Sequence, residues 1–366
     1  MSQQHLSVLI VDDSAAVRAA LSSIVKSDPG LTLFGLAGDP FQAVDLMRSG
    51  LPDVILLDLE LPKMDGLAFL KRIMAQRPLP VVVCSSHTES GSKSAMKALD
   101  LGAAEVLSKP RLDTPVARAE AAVRIGDALR AAVSSQPLQK KRVAAMSLGE
   151  KLTADVILPA LPPRSAPQTE PIVAIGASTG GTNALQAILT ALPETSPAIV
   201  IVQHMPEHFT RAFAQRLDSL CQIEVREAVD GDAPRKGLAL IAPGNHHMLL
   251  RRQGTQYRVG ITDGPYVGRH RPSVDVLFRS TAQAAGRNAL GIILTGMGDD
   301  GAACMVEMHA AGARTLAQDE ATSVVFGMPK EAIAAGGVDS VVPLQRFASE
   351  IEAFGASFRS PVRSLR

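Results

Sequence analysis

The chain has 366 residues, and since a single hydrophobic core stops growing at roughly 250–300 residues, we expect two domains. A composition of 46% hydrophobic and 20% charged residues excludes a disordered or collagen-like protein. The 37 Lys and Arg residues nearly balance the 36 Asp and Glu residues, so we expect no general attraction to nucleic acid. The three cysteines have no CxxC spacing and predict neither a disulfide framework nor a zinc site.

The N-terminus and the apolar runs bear on the cellular compartment. Residues 1–5 are mostly polar and precede the acidic pair Asp12-Asp13, so no basic and apolar signal segment is recognisable. No stretch approaches the roughly 18 apolar residues that span a bilayer. We therefore expect a cytoplasmic protein without membrane insertion.

Residues 1–130 alternate short apolar runs with amphipathic helical patterns. Runs rich in Val, Ile and Leu that are separated by helices predict a parallel sheet covered on both faces. Five such units predict a flavodoxin-like, doubly wound α/β domain over 1–130. The predicted strands are LSVLIV, LTLFGLA, DVILLDL, PVVVCSS and AEVLSK.

The pattern dissolves over 131–170, where Pro, Ser and charged residues predict an interdomain linker. Within it, KLTADVIL has the pattern of a short helix. Residues 171–366 then predict a second α/β domain with a doubly wound parallel sheet and a β-rich stretch over about 223–263. The predicted strands of its sheet are PIVAIGAS, PAIVIVQHM, LALIAPG, ALGIILTGM and RTLAQD.

Polar side chains end or directly follow four strands of the first domain. Asp12 and Asp13 follow the first strand, Asp58 the third, Ser85 ends the fourth and Lys109 follows the fifth. Acids at strand ends often only cap the next helix, but five polar residues on four strands favour a shared site. Clustered carboxylates favour a bound cation, and oxygen ligands alone favour Mg²⁺. Asp58 would then accept a phosphoryl group, with Ser85 and Lys109 contacting its oxygens.

The motifs VDDS, LLDLELP, CSS and SKP carry a family resemblance over roughly residues 5–125. This part of the chain resembles the receiver domains of two-component response regulators. The resemblance implies that Asp13, Asp58 and the backbone carbonyl of Glu60 bind Mg²⁺, while Asp12 acts through a water molecule. It also implies that a histidine kinase supplies the phosphoryl group to Asp58.

The first strand of the second domain runs into the segment Gly176–Gly180, which fits the pattern G-x-S-x-G around Ser178. This turn exposes a nucleophilic serine above a helix N-terminus in many hydrolases. A Gly-rich turn between strand and helix binds a phosphate or dinucleotide equally often. The motif alone leaves both interpretations open.

Two further strand ends favour the hydrolase. His204 follows the next buried strand, and Asp299 and Asp300 lie in the Gly-rich turn after a third one. Ser, His and Asp on three strand ends provide a nucleophile, a base and an orienting carboxylate. Spacing alone allows either aspartate. The chain order Ser, His, Asp differs from that of the α/β-hydrolases and disfavours an ordinary lipase fold.

The motifs IGASTGGTNAL, IVQHMP and LTGMGDDGA, following a receiver, resemble the CheB family of chemotaxis protein-glutamate methylesterases. The resemblance covers nearly the whole chain apart from the linker. It implies Ser178 as nucleophile, His204 as general base and the second acid, Asp300, as orienting carboxylate. It also implies that the backbone N–H groups of Thr179 and Met297 stabilise the oxyanion.

The implied reaction is hydrolysis of glutamate methyl esters on methyl-accepting chemotaxis receptors, with deamidation of certain glutamines and without a cofactor for the esterase step. We expect phosphorylation of Asp58 to activate the hydrolase by shifting the receiver away from the cleft. Two alternatives stay open: the same esterase in a chemosensory pathway outside flagellar chemotaxis, and an output domain that binds a partner or nucleotide without catalysis.

Overall fold

The computed structural model divides the chain into two compact units, Met1–Glu150 and Lys151–Arg366. It describes residues 5–62, 64–85, 89–110, 114–134, 151–161 and 169–358. Within these residues, no helix combines the length and the apolar character needed to cross a membrane.

The first unit is a five-stranded parallel sheet in the order β2-β1-β3-β4-β5, with five helices between and after the strands. All five strands predicted from the apolar runs are confirmed. The strands are β1 (Leu6–Val11), β2 (Leu31–Ala37), β3 (Val54–Leu57), β4 (Val81–Ser85) and β5 (Glu105–Ser108). The helices are α1 (Ala15–Ser27), α2 (Pro40–Arg48), α3 (Gly66–Gln76), α4 (Glu89–Asp100) and α5 (Pro115–Ser134).

Strand burial and helix capping explain why this part of the sequence folds in this way. Every residue of β3 and β4 is buried, as expected for strands with helices on both faces. Ser14 begins α1 by accepting a hydrogen bond from the backbone N–H of Val17, and Asp39 caps α2 in the same manner. The predicted flavodoxin-like receiver fold is confirmed.

The second unit contains a seven-stranded parallel sheet in the order β14-β13-β12-β6-β7-β9-β8 and an antiparallel hairpin, β10-β11. The strands are β6 (Ile172–Ala177), β7 (Ala198–Gln203), β8 (Glu224–Glu227), β9 (Leu238–Ile241), β10 (His247–Gln253), β11 (Gln256–Thr262), β12 (Ala289–Ile293), β13 (Arg314–Gln318) and β14 (Ser340–Val342). The helices are α6 (Gly181–Leu189), α7 (Phe209–Asp218), α8 (Val274–Ala285), α9 (Ala302–Ala310), α10 (Met328–Ala334) and α11 (Phe347–Ser357).

The strand order indicates where the candidate site of this unit lies. From β6 the chain proceeds to one side through β7 and then returns to the other side at β12, which confirms the doubly wound sheet. Ligands in such sheets bind where the order reverses, at the carboxyl ends of the strands. Strand β14 was not predicted, because its three residues are mostly exposed and leave little apolar pattern.

The predicted linker over 131–170 stays a prediction, since residues 135–150 and 162–168 lie outside the described residues. Residues 151–161 belong to the second unit. A short 3-10 helix, Ala154–Val156, lies in the KLTADVIL segment, and Ala154 is buried in the core of that unit. Arg279 on α8 holds the segment through an ion pair of 2.8 Å with Asp155.

A buried ion pair in the first unit gives a test of its stability. Arg130 on α5 contacts Asp28 after α1 at 2.7 Å, and both side chains are almost fully buried. In Arg130→Leu, the Asp28 carboxylate loses its cation inside the protein. We therefore expect the free energy of unfolding of this unit to fall by about 3–5 kcal/mol, measured by hydrogen exchange of the amides in β1 and β3.

The matched control is Arg48→Leu. Arg48 pairs with Asp45 on α2 at 2.8 Å, but both side chains are largely exposed, so its loss changes stability by about 0–1 kcal/mol. Equal effects of the two substitutions would contradict the stabilising role of the buried pair.

Candidate active site

The turn that follows β6 places Ser178 at the centre of the second unit. The Ser178 backbone N–H donates to Thr295 O at 3.0 Å, and Gly181 N–H donates to Ser178 O at 2.7 Å. Gly180 begins α6 with φ of +80°, a left-handed conformation that glycine adopts without a steric penalty. The predicted G-x-S-x-G segment is therefore a tight turn that leads from a strand into a helix.

His204 lies beside Ser178 on the neighbouring strand. Ala177 on β6 pairs with Gln203 on β7, so Ser178 and His204 are the next residues on two adjacent parallel strands. Such strands lie about 4.8 Å apart. The His204 backbone N–H donates to Ala177 O at 3.0 Å and continues the ladder past the strand end.

Asp300 is the carboxylate that contacts His204. Its Oδ2 lies 2.8 Å from Nε2 of the imidazole and also accepts the Val274 backbone N–H at 2.7 Å. Its Oδ1 accepts the Ser273 hydroxyl at 2.8 Å and the Asp275 backbone N–H at 3.1 Å. Four donors thus surround one fully buried carboxylate and fix both its position and its charge.

Electrostatics support the ionised form of Asp300. Burial alone favours the neutral acid, but the hydrogen bonds from His204 and from the Val274 backbone N–H outweigh it, so the pKa of Asp300 is lowered. An ionised Asp300 makes Nε2 the protonated nitrogen of His204. The other ring nitrogen, Nδ1, is buried and has no hydrogen-bond partner among the described residues, which leaves it to accept a proton.

The structure distinguishes Asp299 from Asp300, which the sequence spacing left as equal candidates for the orienting carboxylate. Asp299 is exposed and forms a two-pronged ion pair with Lys151, with Nζ–Oδ distances of 2.6 and 2.8 Å. Asp300 alone points to His204. The difference arises in the turn after β12, where neighbouring residues face opposite sides.

Sequence reasoning missed one aromatic neighbour of the imidazole. The rings of His204 and His270 stack with their centroids 3.7 Å apart and their planes 5° from parallel. His270 lies in the loop between β11 and α8, and its neighbours in the sequence predict only an exposed turn. No spacing rule indicates this contact, because it depends on how the loop between β11 and α8 folds.

Met297 lies next to the nucleophile turn. Gly296 packs so closely on Ser178 that a Cβ added to this glycine would lie 2.7 Å from the Ser178 Cβ. The Gly296 carbonyl accepts the backbone N–H groups of Gly327 and Met328. Met297 thus directly follows a residue that lies against the Ser178 side chain.

The first unit has a second site, at the carboxyl ends of its strands. Carboxylate oxygens of Asp12, Asp13 and Asp58 all lie within 4.8 Å of one another. Lys109 Nζ contacts Asp58 Oδ2 at 2.7 Å and Asp12 Oδ2 at 3.0 Å. The Glu60 backbone N–H donates to Asp58 Oδ1 at 3.2 Å. The predicted acids and Lys109 therefore meet at one rim.

Burial and charge set the protonation states at this rim. Burial raises the pKa of Asp58, an effect that the Lys109 hydrogen bond opposes. Burial disfavours the Lys109 ammonium, but its hydrogen bonds to Asp58 and Asp12 outweigh this and raise the pKa of Lys109. The Ser85 hydroxyl is buried without a hydrogen-bond partner among the described residues. It is free to contact a group that enters the site.

Each of the two units is matched by the model of a known protein family. The family model for the response regulator receiver domain matches residues 8–119, and that for the CheB methylesterase matches residues 173–351. The fold and the sites thus define a response regulator with a methylesterase-type second unit.

Curated relatives match almost the whole chain. A protein-glutamate methylesterase/protein-glutamine glutaminase of group 3 operon from Cereibacter sphaeroides is 60% identical over 353 residues, 95% of each chain. One from Rhodospirillum rubrum is 56% identical over 357 residues, which cover 95% of this chain and 98% of the relative. The chain belongs to the CheB methylesterase family. The crystal structure of the Thermotoga maritima CheB catalytic domain is 37% identical with a TM-score of 0.49, covering 50% of this chain and 98% of that one.

A second buried acid, Asp275, makes the stability of this unit depend on pH. Burial, together with the negative charge of Asp300, raises the pKa of Asp275 to about 7. The folded state therefore holds the proton more tightly than the unfolded chain, whose carboxyl titrates near 4. This contribution to stability is complete below pH 4 and is lost as the pH rises to about 7.

We expect Asp275→Asn to weaken this pH dependence. The amide keeps an oxygen that accepts the Cys304 backbone N–H, as Asp275 Oδ1 does at 2.9 Å, but it cannot ionise. Urea unfolding between pH 4 and 7, followed by pulse proteolysis of the second unit, measures the slope. Glu352→Gln, an exposed change on α11, is the control. A slope as steep in Asp275→Asn as in the parent would contradict the assignment.

Proposed function

We propose that this chain hydrolyses the methyl esters of glutamate side chains on chemotaxis receptors and deamidates receptor glutamines, and that it thereby serves sensory adaptation in the cytoplasm. The observation that carries the proposal is the His204–Asp300 contact of 2.8 Å beside Ser178, on adjacent strand ends. The relatives described above bear names that state both activities.

In the first half of the reaction, His204 acts as the general base. Its Nδ1 takes the proton of the Ser178 hydroxyl while Oγ attacks the ester carbonyl carbon. The backbone N–H groups of Thr179 and Met297 donate to the oxyanion that forms. The tetrahedral intermediate collapses, the C–O bond to the methoxy group breaks, and His204 returns its proton to give methanol and an acyl-serine.

The second half repeats these steps with water. His204 takes a proton from water, hydroxide attacks the acyl carbon, and the Ser178 oxygen leaves with a proton from the imidazole. A free glutamate carboxyl results. A glutamine amide follows the same path with ammonia as the leaving group. Side chains, backbone groups and water provide for every bond that forms or breaks and for every proton that moves. The cycle therefore requires no cofactor.

The receiver site regulates the activity of the esterase unit. The oxygen donors of Asp12, Asp13 and Asp58 suit a hard divalent cation. Asp13, Asp58 and the Glu60 carbonyl would bind Mg²⁺ directly and Asp12 through water, and the ion would neutralise charge on an incoming phosphoryl group. Asp58 is the nucleophile that accepts this group from a histidine kinase.

Two further residues would hold the phosphoryl group. The Ser85 hydroxyl, which has no partner among the described residues, donates to one of its oxygens, and the Lys109 ammonium exchanges its contact with Asp58 for another oxygen. Phosphorylation of Asp58 then raises the rate of the esterase unit in the same chain.

Ser178→Ala tests the esterase mechanism. We expect methanol release from methylated receptor membranes to fall by about 10⁴-fold or more, because the nucleophile is lost and the remaining groups contribute little without it. Ser219→Ala, an exposed serine after α7, is the control and should release methanol like the parent. Release that persists in Ser178→Ala would contradict Ser178 as the nucleophile, and no release by the parent would favour a non-catalytic output unit.

Asp58→Asn tests the switch. With Mg²⁺ and acetyl phosphate, the parent should release methanol faster than without the phosphodonor, whereas the variant should show a ratio of one. Chelating Mg²⁺ should abolish the stimulation of the parent. Asp45→Asn on α2, whose carboxylate is exposed, should keep it. Stimulation of Asp58→Asn to the parental level would contradict Asp58 as the phosphorylated residue.

A further inference from the structure

Gln203 is a buried polar residue that the mechanism above does not use. It ends β7 directly before His204 and is 3% exposed. Its side chain turns toward the nucleophile turn, where a Cβ added to Gly181 would lie 2.1 Å from Gln203 Oε1. A glycine at 181 is thus the residue that makes room for this amide.

The Gln203 amide contacts two carbonyl groups of the candidate site. Nε2 donates to Ser178 O at 3.0 Å and to His204 O at 3.2 Å. Both partners are acceptors only, so the NH₂ group and not the oxygen faces them. One side chain therefore ties the backbone of the nucleophile to the backbone of the base.

The bond to Ser178 O has a consequence for the next residue. Ser178 C=O and Thr179 N–H belong to one planar peptide and point in opposite directions. A donor that fixes the carbonyl oxygen also fixes the direction of the N–H. The direction of Thr179 N–H decides how well it meets a negative oxygen that forms beside Ser178.

Stability does not explain the choice of glutamine here. Gln203 Oε1 is buried and has no hydrogen-bond partner among the described residues, and such an atom destabilises the folded state. An apolar side chain of similar length would avoid that loss. What the amide adds is its pair of N–H donors.

Other contacts hold the turn without Gln203. Gly181 N–H donates to Ser178 O, and Ser178 N–H donates to Thr295 O. The Thr295 hydroxyl donates to Thr179 O at 2.9 Å. The turn should therefore keep its fold when the amide is removed. Ser178 O would then keep only one of its two donors, Gly181 N–H, so the direction of the Ser178–Thr179 peptide should become less restricted.

We propose that Gln203 is a positioning residue of the esterase reaction, which aims the Thr179 N–H at the oxyanion by fixing the Ser178–Thr179 peptide. The proposal rests on the proposed function, because it takes Ser178 as the nucleophile and Thr179 N–H as an oxyanion donor.

Gln203→Met in the full chain is the test. Methionine is similar in length, lacks both donors and removes the unpaired Oε1. We expect kcat for methanol release to fall about 10–100-fold, since a fully lost oxyanion donor costs about 10²–10³-fold. KM should stay within about twofold and the melting temperature should not fall, because the substrate contacts and the turn remain. Gln215→Met, an exposed change on α7, is the control for the substitution type.

Three outcomes would overturn the proposal. In Gln203→Met, these are a kcat that stays unchanged, a kcat that falls together with the melting temperature, and a KM that alone rises. Gln203→Glu provides a second variant of the same shape whose oxygen faces the two carbonyls; it should lose at least as much kcat as methionine. If neither variant folds, Gln203 is a structural residue and the proposal is wrong.

Labelling of Ser178 by a fluorophosphonate tests the role of Gln203 independently of receptor ester hydrolysis. The reagent places a P=O oxygen among the same donors, and the serine displaces fluoride from phosphorus without any receptor. If the parent labels about tenfold faster than Gln203→Met, the proposal holds even where no receptor ester is hydrolysed. Equal rates, or no labelling of the parent, would contradict it.

Discussion

The contact between the Asp300 carboxylate and the His204 imidazole is the interaction on which the candidate active site depends. The carboxylate is fully buried, and four donors from two parts of the chain hold it. Without them, burial would favour the neutral acid. Because the charge is fixed before any substrate arrives, the imidazole has one preferred tautomer, and no reorganisation is needed when the reaction begins.

Two helices secure this carboxylate by capping one another. Asp300 precedes α9 but accepts N–H groups from the first turn of α8, whereas Asp275 in the first turn of α8 accepts the Cys304 N–H of α9. Each acid satisfies donors that a helix start leaves unpaired and lies at the positive end of a helix dipole. The position of the active-site acid is thus a property of the α8–α9 pair and not of one flexible loop.

Both units place their polar groups by the same rule. Parallel strands end at one edge of the sheet, so residues far apart in sequence meet there. In the first unit this edge collects three carboxylates and Lys109. In the second it collects Ser178, His204 and Asp300.

This rule also explains what the sequence predicts and what it does not. Ser178, His204 and Asp58 could be found because each directly follows a buried strand made mostly of apolar residues. The choice between Asp299 and Asp300 required the family resemblance, since the two acids share one turn and differ only in direction. His270 and Gln203 escaped detection because their contacts depend on a loop fold and on a rotamer, and neither leaves a periodic pattern.

The protonation of the His204 ring tests the central claim most directly. Nitrogen-15 NMR of histidine-labelled protein at pH 8 distinguishes the two ring nitrogens. The account predicts a protonated Nε2, with a proton shifted downfield by the Asp300 bond, and an unprotonated Nδ1 available to Ser178. A ring protonated at Nδ1, or an Nε2 proton without such a shift, would contradict it.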